Sequence, residues 1–251
     1  MSAYVALTRA SYRVYTRDRT VIFFTFVFPL VFLVIFGLAF GRRGVDATGK
    51  SAIDGIAAGI LSWGAASTSL FGAAFTLMQW RRDDILRLVR MTPTSLRSVL
   101  LSRYVVALAI AGLQAVLFTA VAVLPPFSLR PAATWPAAIP VLAVGVTAFL
   151  AVGVVIGCGS DTAEGVSAIA NCVMVPMAFL SGAFAPMSMM PSWLRSVAAF
   201  LPLHYLNNGV SSAISGRADL TGIATACGAL VLFALLFCLI GMRVFRWSNE
   251  K

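Results

Sequence analysis

The 251-residue sequence predicts an all-α fold, a polytopic membrane protein with six transmembrane helices in a single domain covering residues 1–251. Three observations carry this reading. Hydrophobic residues make up 60% of the chain and charged residues 11%, against about 45–50% and about 25% in an average soluble domain. So few charges cannot cover a water-soluble core. Six apolar runs contain no Asp, Glu, Lys, Arg or His, and each reaches the roughly 20 residues that a helix needs to cross a hydrocarbon layer about 30 Å thick. The runs are continuous rather than alternating, which excludes a lipid-facing β-barrel.

Residues 3–19 place Arg9, Arg13 and Arg17 four residues apart, with Tyr4, Leu7, Ser11 and Val14 on another face. This pattern predicts an N-terminal amphipathic helix lying in the membrane interface, where tyrosines concentrate. The first span covers about 21–40 and is too long and too aromatic for a cleaved signal sequence. The others cover about 55–79, 104–124, 137–158, 165–185 and 220–242. Pro29 and Pro176 predict kinks in the first and fifth. Gly55/Gly59 and Gly153/Gly157 have the spacing of close helix packing.

Two connecting segments carry further structure. Between spans two and three, Arg81-Arg82-Asp83-Asp84 is followed by Ile85, Leu86, Leu88 and Val89, then by Thr92-Pro93. Asp83 and Arg87 have helix-favouring spacing and order, and Pro93 ends the helix. A short amphipathic helix of this kind suits either a groove on a soluble partner or a lipid interface. Between spans five and six, residues 186–219 hold Trp193, Leu194, Val197, Ala198 and Leu201 among prolines 186, 191 and 202. The segment is too apolar for a plain loop and too short between its prolines to span. It predicts a pair of re-entrant or interfacial helices.

Basic residues flanking the spans set the orientation. With the N-terminus inside, the cytoplasmic segments hold Arg9, Arg13, Arg17, Arg19, Arg81, Arg82, Arg87, Arg90, Arg97, Arg103, Arg243, Arg246 and Lys251. The external segments hold only Arg42, Arg43, Lys50, Arg130, Arg195 and Arg217. Both termini are therefore expected in the cytoplasm. The same flanking charges account for the net +10, so no nucleic-acid partner is expected.

Several chemistries are disfavoured. A secondary transporter or channel with six spans is one reading of such a chain, but an ion- or proton-coupled carrier should show acids inside the membrane or inverted repeats, and the spans have neither. Cys158, Cys172, Cys227 and Cys238 lie in apolar runs without a C-x-x-C pair and read as small hydrophobes, not metal ligands. Gly44-Val45-Asp46-Ala47-Thr48-Gly49-Lys50-Ser51 matches the phosphate-loop pattern, yet it hangs between two spans without the strand and helix that such a loop requires. Ser181 and His204 lack the Gly-x-Ser context and the opposing span of an intramembrane hydrolase. Within the spans the large polar groups are Gln114 and Asn171, joined by Ser62, Ser67, Thr68, Ser69 and Thr76 in the second. These groups either bond neighbouring helices or line a path for an amphiphile.

Arg81-Arg82-Asp83-Asp84-Ile85-Leu86-Arg87-Leu88-Val89-Arg90-Met91-Thr92-Pro93 is one motif-bearing stretch. The other is Pro176 to Pro186 with Leu180-Ser181-Gly182 inside, then Pro191-Ser192-Trp193-Leu194 and Pro202-Leu203-His204-Tyr205. Together they resemble the permease subunits of type-2 ATP-binding-cassette exporters, and most closely the daunorubicin-resistance branch. The resemblance implies the membrane half of an exporter of a drug, lipid or glycan precursor in a bacterial plasma membrane. It also implies a second permease copy, identical or closely related, and a separate cytosolic ATPase that binds the ATP and magnesium, so this chain would bind no cofactor. The segment after span two becomes a coupling helix, with Arg82, Asp83, Asp84, Leu86, Arg87 and Arg90 at the ATPase interface. A cavity between spans one, two and five would expose Phe24, Phe28, Phe75, Asn171 and Met174 to substrate.

Overall fold

The computed structural model describes residues 19–40, 52–83, 96–125, 127, 129, 132–184, 187, 190–216 and 219–244. The expected interfacial helix before Arg19, the 44–51 loop and the coupling residues Asp84, Leu86, Arg87 and Arg90 lie outside them. Among the described residues the fold is entirely helical, and six helices are long and apolar enough to cross a membrane, as the sequence predicts.

The first span, α1, runs as Arg19–Ile22, a π-helical stretch Phe23–Val27 and Phe28–Phe40. It is followed by α2 (Ala52–Arg82), α3 (Leu96–Val123), α4 (Ala138–Gly159, led in by a 3-10 turn at Trp135–Ala137) and α5 (Ala163–Leu180). Two short helices, α6 (Ser192–Ala198) and α7 (Pro202–Ile214), precede the last span, α8 (Leu220–Val244).

The bundle is built around α2 and α4. Of the most apolar 18-residue stretch of α2, 72% is buried, against 22% for α1 and 17% for α8, so the first and last spans are peripheral. Small side chains place α2 at the centre. Ala57, Ala58, Ala65, Ala66 and Ala74 are all buried, and they let neighbouring backbones approach. The glycine pairs behave unequally. A Cβ on Gly153 would stand 2.9 Å from the Ala73 Cβ, and one on Gly157 would stand 2.6 Å from the Ala74 carbonyl oxygen. Gly59 is pressed against the backbone of Ala183, whereas a Cβ on Gly55 would meet nothing within 4 Å among the described residues, so Gly59 is the member of that pair that makes the close contact.

The fifth span ends at Leu180, five residues before the apolar run predicts. Gly182 adopts φ 79°, its N–H donates to the Phe179 carbonyl, and the Ala183 N–H donates back to Ala178. This Schellman motif closes the helix and satisfies its last carbonyls, so the apolar run continues beyond the helix itself.

The two short helices before α8 also differ in character. In α6, Trp193 and Val197 are exposed, which suits an interfacial helix. By contrast α7 is packed into the bundle, with Leu203, Leu206, Asn207, Val210 and Ala213 buried. Gly209 of α7 lies against Val141 of α4 and Ala226 of α8.

Candidate functional site

Two aromatic rows run along α1 and α2 and meet at Trp63. On α1, Phe24, Phe28, Phe32 and Phe36 recur every four residues, with successive ring centroids 5.6, 4.8 and 5.7 Å apart. On α2, Trp63, Ser67, Phe71 and Phe75 share the same spacing and are half-buried, and Phe71 stacks on Phe75 at 6.0 Å. Trp63 joins the rows, 6.2 Å from Phe28 and 5.8 Å from Phe32. Phe184, in the turn after α5, closes the cluster with centroids 5.0 Å from Trp63 and 5.4 Å from Phe36. Offset and edge contacts of this kind hold rings in place while leaving a polarizable apolar wall. Two hydrogen-bonding atoms of the α2 row, Trp63 Nε1 and Ser67 Oγ, are buried without a partner among the described residues.

Beside the cluster a polar node joins α1, α2 and α3. Pro29 has no N–H to give to the carbonyl of Thr25 four residues earlier, and α1 is π-helical here, with the Phe28 N–H reaching back to Phe23. The fully buried Gln114 supplies the missing donor. Its Nε2 donates to the Thr25 carbonyl at 2.8 Å and to Thr68 Oγ1 at 3.2 Å. Here the expected bond between spans is met. Asn171, the other large polar group, is exposed on α5 and donates to the Ser167 carbonyl of its own helix at 2.9 Å.

At the C-terminal end of α2, Arg82 and Asp83 are exposed where the helix runs out. Their neighbour Arg81 turns inward. Its Nη1 donates to the carbonyls of Cys158 at 2.7 Å and Gly157 at 3.3 Å, and its Nη2 lies 3.1 Å from the Asp161 carboxylate. The Arg103 guanidinium of α3 sits 5.3 Å over the ring of Trp80, a cation–π contact.

Residues 2–215 match the family described as ABC-2 type transporter. The chain belongs to that family. It is 26% identical over 219 residues to the inner membrane transport permease YadH of Escherichia coli (strain K12), covering 84% of this chain and 81% of that protein. It is 28% identical over 95 residues to the linearmycin resistance permease protein LnrN of Bacillus subtilis (strain 168), covering 38% of this chain and 25% of that protein. This ABC-2 chain is therefore a membrane subunit of an ABC transporter and a multi-pass inner-membrane protein. Neither the family match nor the relatives' names place it in the daunorubicin-resistance branch.

Of the path residues expected in this ABC-2 permease, Phe24 and Phe28 stand together on the α1 row and Phe75 ends the α2 row. Met174 is 1% exposed and packs in the core, while Asn171 faces outward on the same helix. Ser181 and His204 do not pair. The Ser181 hydroxyl donates to the Ala178 carbonyl, and the His204 Nε2 meets the Asn208 amide at 2.9 Å. Among the described residues no group of three or more His, Cys, Asp or Glu could hold a metal. Sequence reasoning overlooked Phe32, Phe36, Trp63 and Phe71, although their four-residue recurrence was there to read. In the sequence Arg81 is a cytoplasmic charge at the head of the motif-bearing stretch, and nothing there marks its inward contact with α4.

Proposed function

We propose that this chain is the membrane half of an ATP-driven exporter of amphiphilic molecules, energised by a separate cytosolic ATPase that holds the ATP and magnesium. The observation that carries the substrate class is the pair of aromatic rows on α1 and α2. A half-buried wall of rings, with Trp63 and Ser67 donors that have no partner among the described residues, suits a ligand that combines apolar bulk with hydrogen-bond acceptors. A second copy of the permease, the same chain or a close relative, would close the open side of that wall. Phe24, Phe28 and Phe75 then line the path and Asn171 faces it from α5, while Met174 supports α5 from the core. The linearmycin-resistance relative favours a drug-like cargo, and lipids and glycan precursors share the same amphiphilic chemistry.

Family membership supports the energy source. Both termini lie in the cytoplasm, and the segment after α2 docks on the ATPase through Arg82, Asp83, Asp84, Leu86, Arg87 and Arg90. Closure of the ATPases moves the helices as rigid bodies and turns the path from inward to outward access. Sealed inside-out vesicles supplied with a lipophilic fluorescent dye test this. ATP should drive accumulation that vanadate stops and a protonophore spares. Accumulation that needs an ion gradient and no ATP would instead make the chain an ion-coupled carrier.

A further inference from the structure

Arg81 occupies the last turn of α2, immediately before the segment that carries Asp83 to Arg90, and its side chain is only 9% exposed. The two carbonyls it binds, Gly157 and Cys158, belong to the last turn of α4. Such terminal carbonyls lack intrahelical donors and carry the negative end of the helix dipole. A planar guanidinium can serve them and the Asp161 carboxylate together, which a single ammonium group does poorly.

Next to this latch the two helices are already in backbone contact at Gly153 and Gly157, so α2 and α4 are joined along their length as well as at their base. Beyond it the connection to α5 is short and stiff. Only Ser160, Asp161 and Thr162 separate α4 from α5, and Thr162 Oγ1 caps α5 by accepting the Gly165 N–H at 3.1 Å.

We infer that Arg81 is a positioning residue for energy coupling, fixing the C-terminal end of α2 to the α4–α5 turn so that a push on the segment after α2 also moves α5. This rests on the reading that an ATPase docks on that segment. Without Arg81 the push would still reach α2, but the base of α5 would slip against it.

Spin-label distances in the complex purified with its ATPase and placed in nanodiscs test the inference. One pair, Gln79→Cys with Glu164→Cys, reports α2 against α5, and a second, Leu101→Cys with Glu164→Cys, reports α3 against α5, each in a chain whose native cysteines are replaced by Ser. In the wild-type background, ATP with vanadate should shift the second distance by a few ångström and leave the first unchanged. Arg81→Gln should reverse this pattern, with the α2–α5 distance changing on nucleotide addition and the α3–α5 shift lost, while ATP hydrolysis persists. Arg81→Lys, which keeps the charge beside Asp161, should restore part of the α3–α5 shift. If Arg81→Gln fails to insert, Asp161→Arg at the exposed partner should produce the same reversal by repelling the guanidinium. Wild-type behaviour in these variants would overturn the role of Arg81 alone. A wild-type complex that does not respond to nucleotide would remove the ATP-driven reading and this inference with it.

Discussion

Gln114 of α3 donates its side-chain amide to the main-chain carbonyl of Thr25 in α1, 2.8 Å away, and Pro29 is the reason that carbonyl can accept it. A proline that would merely weaken an isolated helix here creates an acceptor, and a buried amide from another span fills it. Polar groups in the low-dielectric interior are held by such pairing, because leaving one unpaired carries the full desolvation penalty.

Replacing Gln114 with Leu should therefore lower stability by about 1–3 kcal/mol, read as thermal unfolding in detergent. In a Pro29→Ala background the loss should shrink, because the alanine brings a backbone N–H to the Thr25 carbonyl. Equal losses in both backgrounds would show that the node does not depend on the proline.

Gly153→Val should prevent recovery of folded, inserted protein. Its side chain would meet the Ala73 Cβ and the Leu70 backbone, and a backbone cannot move aside as a flexible side chain can. Gly228→Ala, at a helical glycine where a Cβ would meet nothing within 4 Å among the described residues, should be tolerated or stabilise by up to about 1 kcal/mol. Membrane yield and the chromatographic profile separate the two outcomes.

His204 lies outside the spans at the start of α7, and burial pushes its pKa below the usual imidazole value. The folded state thus favours the neutral ring while the unfolded chain takes up a proton more readily. The contribution of this group is fully present above about pH 6.5 and is lost as pH falls through the unfolded and then the folded pKa. Melting temperature followed from pH 8 to pH 5 should fall more steeply for the wild type than for His204→Gln. Parallel curves would contradict the assignment.

Leu86→Asp should leave the protein inserted but unable to hold its ATPase, since a carboxylate would enter an apolar groove at a penalty of several kcal/mol. Lys50→Ala should leave ATP-dependent transport unchanged. A large loss from that variant would revive a nucleotide role for the 44–51 loop.

The spans were legible in the sequence because lipid imposes a length and an apolarity that few other environments demand, and all six appear near their expected positions. What escaped were features set by tertiary pairing. The end of α5 depends on Gly182 reaching a left-handed conformation, and although Ser181-Gly182 is a turn signal, the apolar residues on both sides of it let the run read as one continuous span. The π-helical stretch of α1 reflects Pro29 together with Gln114, 85 positions later, a relation that no local pattern reports. Arg81 and Arg82 look alike as sequence, yet one is buried at the foot of α4 and the other is exposed, and only the packing of α2 on α4 tells them apart. The aromatic rows were readable as four-residue repeats, although nothing in the spacing said that the rows on α1 and α2 meet at Trp63.

On the function we propose, this chain transports only with a separate ATPase bound to the segment after α2. Gentle purification of the tagged chain from its native membrane, beside Leu86→Asp, tests it most directly. The wild type should bring with it a second polypeptide with vanadate-sensitive ATP hydrolysis, and Leu86→Asp should lose that polypeptide while remaining in the membrane. A wild-type chain that purifies alone, from membranes that still transport without ATP, would contradict the account.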